Sequence, residues 1–427
     1  MFSYPSLFRK FFIGSTLVTL VMIAVLVTYA IATIYPPTDG VWLKNNEVLG
    51  GDFLAFYTGG TLFCDEPAHL YDLPRQVSFQ KALLGGSLGS LSAPLPFIYP
   101  PLIAVFVCPL SHLAFEYAFY VAAIIALLGG LFALFALAKQ YKFPFGHEYL
   151  AVSLASLGFM PFYLNTVFGG QLAWLGIVVF SFFSIFMLKR QYVMAGSVLA
   201  LGYYKPPLFV LAALYFAIRL GWPFIKGGLL SALVLILLSV AAVGVDGLVH
   251  YVTTASRYTY GQEFMPGLRL PPAQGAGVFA LTTSLLSTSA ANFFVYLVLC
   301  CSILALSVSQ RVRRQVITPT EIALVITASV GLSVQCIKYD LAILLVPFVL
   351  IAADFYRVDT KLKHLAFMLI CGFYVEYVWR EEHVFGLTVS ISSLLFLLLM
   401  SVLYLIVLKA QIGPTYNGSR MTQQAES

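Results

Sequence analysis

The chain has 427 residues, of which 60% are hydrophobic and only 10% charged, and its mean hydropathy is +0.91. Soluble domains carry roughly 25% charged residues, so a water-soluble globular fold is excluded. The net charge of +6 reads as basic loops at a membrane surface and gives no argument for nucleic acid. The apolar runs are continuous and lack the period-two alternation of an outer-membrane barrel, so the predicted class is an all-α polytopic membrane protein forming one integral domain over 1–427.

Taken in chain order, Arg9 and Lys10 precede an apolar run from Phe11 to Tyr35. A signal-peptide core is roughly 7–15 residues and this run is about 24, so it is expected to be an uncleaved first span despite the cleavage-like "AIA" at 30–32. Basic residues recur at Lys139/Lys142, Lys189/Arg190, Arg219/Lys226, "RVRR" at 311–314, Arg357/Lys361/Lys363 and Lys409. Short Lys/Arg-rich loops stay cytoplasmic. That rule places the N-terminus and the polar tail 411–427 inside. It leaves 35–98 as a first outer loop with short amphipathic helices and 244–290 as a second. It also puts the "FGGQ" turn of a hairpin (149–168 and 170–188) and "QCIKYD" (335–340) on the outer side.

Two runs resist simple counting. Residues 99–138 are long enough for two spans where the charge rule needs an odd number of crossings, so "YPPLIAVFVCPLSHL" is expected to be a short or oblique helix that does not fully cross. Residues 192–218, interrupted by "YKPP", are expected to fold as two short helices with Lys205 near the turn. Broken backbone at membrane depth is tolerated only when buried in protein or lining a wet cavity.

The chemistry-bearing residues fall on the same outer side. Asp52, in "GGDFLAFYTGG", reads either as a helix cap or solvated loop acid, or as a base whose pKa is raised by the neighbouring Phe53, Phe56 and Tyr57. "FIYPP" sets a sharp bend at a helix start with Tyr99 at an interface. Gln171 follows two glycines and reads as a turn cap or a ligand contact. Lys205 is costly at membrane depth; it either snorkels or meets an anion such as a lipid phosphate. Lys338 and Asp340 flank Tyr339 and either pair with one another or bind ligand. Arg269, with Arg257, either clamps phosphate or meets headgroups. The six cysteines show no metal-ligand spacing; a Cys64–Cys336 bridge is compatible with both lying outside. No P-loop, dinucleotide, H-E-x-x-H or G-x-S-x-G element is present in the sequence.

In combination, Asp52/Phe53 with Tyr57, Tyr99–Pro101, Gly169–Gln171, the "AG…LALG…KPP" segment Ala195–Pro207 and Tyr339–Leu341 resemble glycosyltransferase family 87. The likeness covers roughly residues 50–350. It implies a GT-C membrane fold of about 11–13 spans and a polyprenyl-phosphate sugar donor. The sugar would be mannose- or arabinose-like, and the acceptor hydroxyl would lie on a glycolipid or glycan at the outer face of a plasma membrane, the inner membrane of a bacterium. The resemblance assigns the base to Asp52. Donor or substrate contacts then fall to Tyr57, Tyr99, Gln171, Lys205, Arg269, Lys338 and Asp340, with membrane lipids as further partners and no cofactor or metal expected. The late motif departs from many relatives in carrying Lys338. The competing class is a lipid-linked sugar transporter or flippase, which predicts repeated broken helices in two halves; "KPP" has no counterpart in the second half.

Overall fold

The computed structural model describes residues 40–43, 47–86, 94–140, 156, 158–259, 275–286, 289–354, 361–376, 383–384, 387–388 and 391–412. The expected first span, Arg269 and residues 413–427 of the expected tail lie outside them. In chain order the helices are α1 (Phe53–Asp65), α2 (Leu73–Leu83), α3 (Pro101–Ser111), α4 (Phe115–Ala138), α5 (Ala173–Leu188), α6 (Tyr192–Ala200), α7 (Val210–Leu220) and α8 (Trp222–Thr259). They continue with α9 (Val278–Leu285), α10 (Ser289–Val312), α11 (Pro319–Gly331), α12 (Leu345–Asp354), α13 (Lys361–Glu376) and α14 (Ile391–Ile412). A pair of two-residue strands, His383–Val384 and Leu387–Thr388, is the only named strand pairing among the described residues. The chain is therefore an all-α polytopic membrane protein.

Four helical segments among the described residues are long and apolar enough to cross a bilayer: Phe115–Ala138, Trp222–Arg257, Ala290–Val312 and Ile391–Lys409. A fifth arises if Pro161–Phe168 and Ala173–Leu188, bent by 119°, count as one span. Several other apolar runs among the described residues are cut into helices too short to cross. At 1.5 Å per residue, the 11-residue α3 reaches about 16 Å of a roughly 30 Å hydrocarbon core. Pro100 and Pro101 fix its start, and the run 99–138 divides into this short helix and the long α4. Residues 192–218 divide likewise: α6 gives way to short 3-10 turns at Leu201–Tyr204 and Pro206–Leu208 before α7 begins. Lys205 sits at that break outside the helical region (φ −149°, ψ 72°), in keeping with the bias of a residue before proline away from helix. The long α8 breaks at Gly244 (φ 74°, ψ 175°), where the sequence reading ends a span.

Without a hydrophobic drive between helices in lipid, close approach and internal polar bonds hold such a bundle together. Helices α6 and α8 meet backbone to backbone: a Cβ on Gly196 would lie 2.1 Å from the Phe224 carbonyl, and one on Gly227 would lie 2.0 Å from that of Val193. At the ends of α7, α10 and α11, Glu321 accepts from Arg219 Nε (3.1 Å) and the Tyr215 hydroxyl (2.9 Å), while Arg219 also donates to the Gln315 carbonyl. Glu321 is 1% exposed, so this buried carboxylate depends on its partners.

A disulfide joins Cys64, at the end of α1, to Cys108 in α3. It corrects the Cys64–Cys336 bridge: Cys64 is bonded to Cys108, and Cys336 is buried elsewhere outside any disulfide. Both α1 and α3 are short helices that pack side by side, which sequence spacing alone does not disclose. Breaking the bridge releases a 44-residue loop and should cost about 2–4 kcal/mol. In detergent-purified protein, Cys64→Ser/Cys108→Ser should unfold at lower temperature, and a thiol-reactive probe should reach Cys64 and Cys108 of the native chain only after reduction.

Candidate active site

Two glycine pairs build the first half of the site. Gly50 (φ 71°) and Gly51 (φ 47°) turn the chain sharply before α1, and Gly170 (φ 67°) turns it before α5. The two turns touch through backbone: a Cβ on Gly170 would lie 2.5 Å from Phe53 Cβ and 2.8 Å from the Gly50 carbonyl. The turn at 169–171 is set by the wide π-helical segment Pro161–Phe168, closed by Gly169 N–H on the Leu164 carbonyl at 2.7 Å.

This contact aims Gln171 at Asp52, and Gln171 Nε2 donates to Asp52 Oδ2. Asp52 stands at the N-cap of α1 yet makes no side-chain capping bond, so its carboxylate is left for another purpose. Behind it, Phe53 is wedged between the rings of Phe115 (5.7 Å) and Phe119 (5.8 Å), which locks the first turn of α1. Burial raises the pKa of Asp52 above the ordinary carboxylate value; the Gln171 hydrogen bond and the nearby Lys205 ammonium lower it in part.

The second half is a buried ion pair. Lys205 Nζ lies 2.5 Å from Asp340 Oδ2 and 4.6 Å from the centre of the Tyr339 ring. Asp340 Oδ2 also accepts the Ile337 N–H at 2.9 Å. The strand-like bridge Gly275–Ile337 and the Ala276 N–H bond to the Cys336 carbonyl (2.8 Å) brace the segment that carries Asp340. Asp340 thus pairs with Lys205 from far along the chain, where sequence proximity suggested Lys338. Lys338 is half-buried and forms no ion pair among the described residues.

Tyr99 is joined to this arrangement through packing and backbone. Its carbonyl accepts from the Tyr71 hydroxyl (2.8 Å), and its ring meets Phe56 at 4.8 Å. Tyr57 is engaged elsewhere: its hydroxyl donates to the carbonyls of Leu113 (2.8 Å) and Ser111 (3.3 Å), tying α1 to the turn after α3. The structure therefore gathers Asp52, Gln171, Lys205 and Asp340, with Tyr99 alongside; Tyr57 faces away from the pair of acids, and Arg269 lies outside the described residues. Tyr339, under the ammonium, and Tyr204, whose buried hydroxyl has no hydrogen-bond partner and which is influenced by Asp340, were missed by the sequence reading. Their signal was position alone, since each is adjacent to a charged residue in an apolar run.

One group of metal-ligand types, Cys64, Cys108 and His112, clusters among the described residues, but both cysteines are spent on the disulfide and offer no thiolate. Chemically, the arrangement presents one carboxylate outside any ion pair and one buried cation, groups of the kinds that can take a proton and meet an anion.

Removing one member of a buried ion pair typically costs about 3–5 kcal/mol, because it strands the other charge. Lys205→Ala and Asp340→Leu should each lower the unfolding temperature sharply. The joint Lys205→Met/Asp340→Leu variant should recover most of that loss in a thermal scan and still lack activity.

No curated protein and no solved structure matches the chain. A family model described as glycosyltransferase family 87 matches residues 97–337. That stretch includes Tyr99, Gln171 and Lys205, begins after Asp52 and stops just before Asp340. Covering more than half of the 427 residues, it shows that this membrane protein belongs to glycosyltransferase family 87.

Proposed function

We propose that the enzyme transfers a mannose- or arabinose-like sugar from a polyprenyl-phosphate donor to a hydroxyl of a glycolipid or glycan, with inversion, at the outer face of the membrane. The observation that carries this reading is the uncapped Asp52 carboxylate, held by Gln171 and within the influence of Lys205. An acceptor hydroxyl attacks the anomeric carbon and passes its proton to Asp52. The bond from that carbon to the phosphate oxygen breaks, and its electron pair leaves with the polyprenyl phosphate. Lys205 is placed to meet the charge that develops there. A single base suffices for one displacement, in contrast to the paired acids of most glycoside hydrolases.

The disulfide supports the sidedness. Structural disulfides persist in oxidising compartments, and Cys64 ends the helix that Asp52 begins. An outer location for α1 and α3 agrees with the distribution of basic residues. In this reading the headgroup of a membrane-bound donor reaches the site at the bilayer surface.

The pH dependence follows in sign. Transfer needs ionised Asp52, so activity should rise with pH through its raised pKa. Gln171→Leu removes a bond that lowers that pKa, and should move the acid limb to higher pH. A carboxyl whose folded pKa is raised costs the fold stability as pH climbs from the ordinary value of 3.8 through the folded value. Asp52→Asn should therefore keep or raise the unfolding temperature near neutral pH. Assayed with radiolabelled polyprenyl-phosphate mannose and arabinose and a membrane lipid extract, the same variant should lose about 10²–10⁴-fold in rate. Full activity in folded Asp52→Asn would remove the base assignment.

A further inference from the structure

The segment Trp222–Arg257 of α8 has 36 residues. At 1.5 Å per residue a straight helix of that length reaches about 54 Å, well beyond the roughly 30 Å hydrocarbon core. Gly244 lies inside it in a conformation (φ 74°, ψ 175°) that a side chain opposes. The part before this glycine reaches about 33 Å, enough for one crossing. Apart from Lys226, the exposed side chains of that part are apolar.

Beyond Gly244 the side chains sort into three sectors. Val245, Val249 and Val252 recur at helical spacing on one stripe and are 57–63% exposed. Asp246, His250, Thr253 and Arg257, also exposed, form a second stripe roughly 100° away around the helix. The third sector faces protein: Gly247 is buried, Leu248 is half-buried, and the Tyr251 ring lies 5.9 Å from that of Tyr71. Contiguous exposed valines are disfavoured in water, and a row of Asp, His and Arg is costly in hydrocarbon. Only the boundary between the two suits both stripes.

We infer that residues 245–257 lie along one surface of the bilayer as an interfacial helix. The valine stripe sits in the acyl boundary, and Asp246, His250, Thr253 and Arg257 sit among phospholipid headgroups and water. The partner of this surface is the headgroup layer itself. The bend at Gly244 turns the chain out of the core that it has just crossed. Tyr251 then packs the helix against Tyr71, whose hydroxyl donates to the Tyr99 carbonyl at 2.8 Å. The Tyr99 edge of the candidate site is thereby held close to headgroup level. The placement itself does not depend on the transferase reading.

Spin-label depth profiling of the full chain tests this. Cys300→Ser, Cys301→Ser and Cys371→Ser remove the accessible free thiols, while buried Cys336 and the disulfide stay. Val245→Cys, Asp246→Cys, Val249→Cys, His250→Cys, Val252→Cys and Arg257→Cys are then made singly, labelled with a nitroxide and reconstituted in phosphatidylcholine vesicles. Power saturation compares collision with oxygen, which concentrates in lipid, against collision with a water-soluble nickel chelate. Oxygen should dominate at the three valine positions, at a depth of about 5–10 Å below the headgroup boundary. Nickel should dominate at 246, 250 and 257, so that the ratio reverses with the helical period. Nickel dominance throughout would put the helix in water and overturn the inference. Oxygen dominance throughout, with labels near the midplane about 15 Å down, would make the segment a crossing and overturn it equally, as would a profile without helical period. All six positions are exposed, so one variant that fails to fold removes a point and leaves the pattern readable. Loss of transfer in Asp52→Asn with this profile unchanged separates the helix placement from the base assignment.

Discussion

The hydrogen bond from Gln171 to Asp52 is the contact on which the rest of the site depends. It joins two segments more than a hundred residues apart, and it forms only because two glycine turns can approach backbone to backbone. A side chain at Gly170 would hold the turns apart, and one at Gly50 would collide with the Phe119 ring. The carboxylate would then be left to cap its own helix or meet water, as loop acids ordinarily do. Aromatic packing around Phe53 and the disulfide at the far end of α1 fix the helix behind it, so both ends of α1 are held and the acid has little freedom to wander.

Around that contact the fold sets two charges of opposite sign with different degrees of commitment. Lys205 and Asp340 are tightly paired and nearly inaccessible; Asp52 keeps partial exposure and a hydrogen bond from a neutral amide. An ion pair in a low-dielectric setting compensates desolvation that neither charge could bear alone. Asp52, paired only with an amide, retains a raised proton affinity. Two carboxylates in one site thereby acquire distinct surroundings, one locked in an ion pair and one holding a neutral amide. The Arg219–Glu321–Tyr215 cluster shows the same compensation at a place with no such acid beside it.

Much of this was legible in the sequence where a rule acts locally. Proline fixed the start of α3 and the break at Lys205, and glycine marked the turn before Gln171, while the break at Gly244 falls where the basic-loop rule ended a span. The order of Asp52, "YPP", "GGQ", "KPP" and "YDL" pointed to the family. What local rules do not carry is which distant groups meet. Lys338 stands two residues from Asp340 and looked like its partner, yet the segment folds so that the aspartate turns inward to Lys205. Cys64 found Cys108, across a helix pair whose side-by-side packing no periodicity in α1 announces. Bends inside an apolar run are hidden for a related reason: hydropathy measures the length of the run alone.

Chemical rescue of the base is the most direct measurement of the central claim. Asp52→Ala leaves a space where a small carboxylate can sit, so the account predicts negligible transfer by the purified variant and its partial return on adding formate, with the rescued rate following formate ionisation as pH is varied. Transfer at the wild-type rate by Asp52→Ala in the absence of any added carboxylate would contradict it.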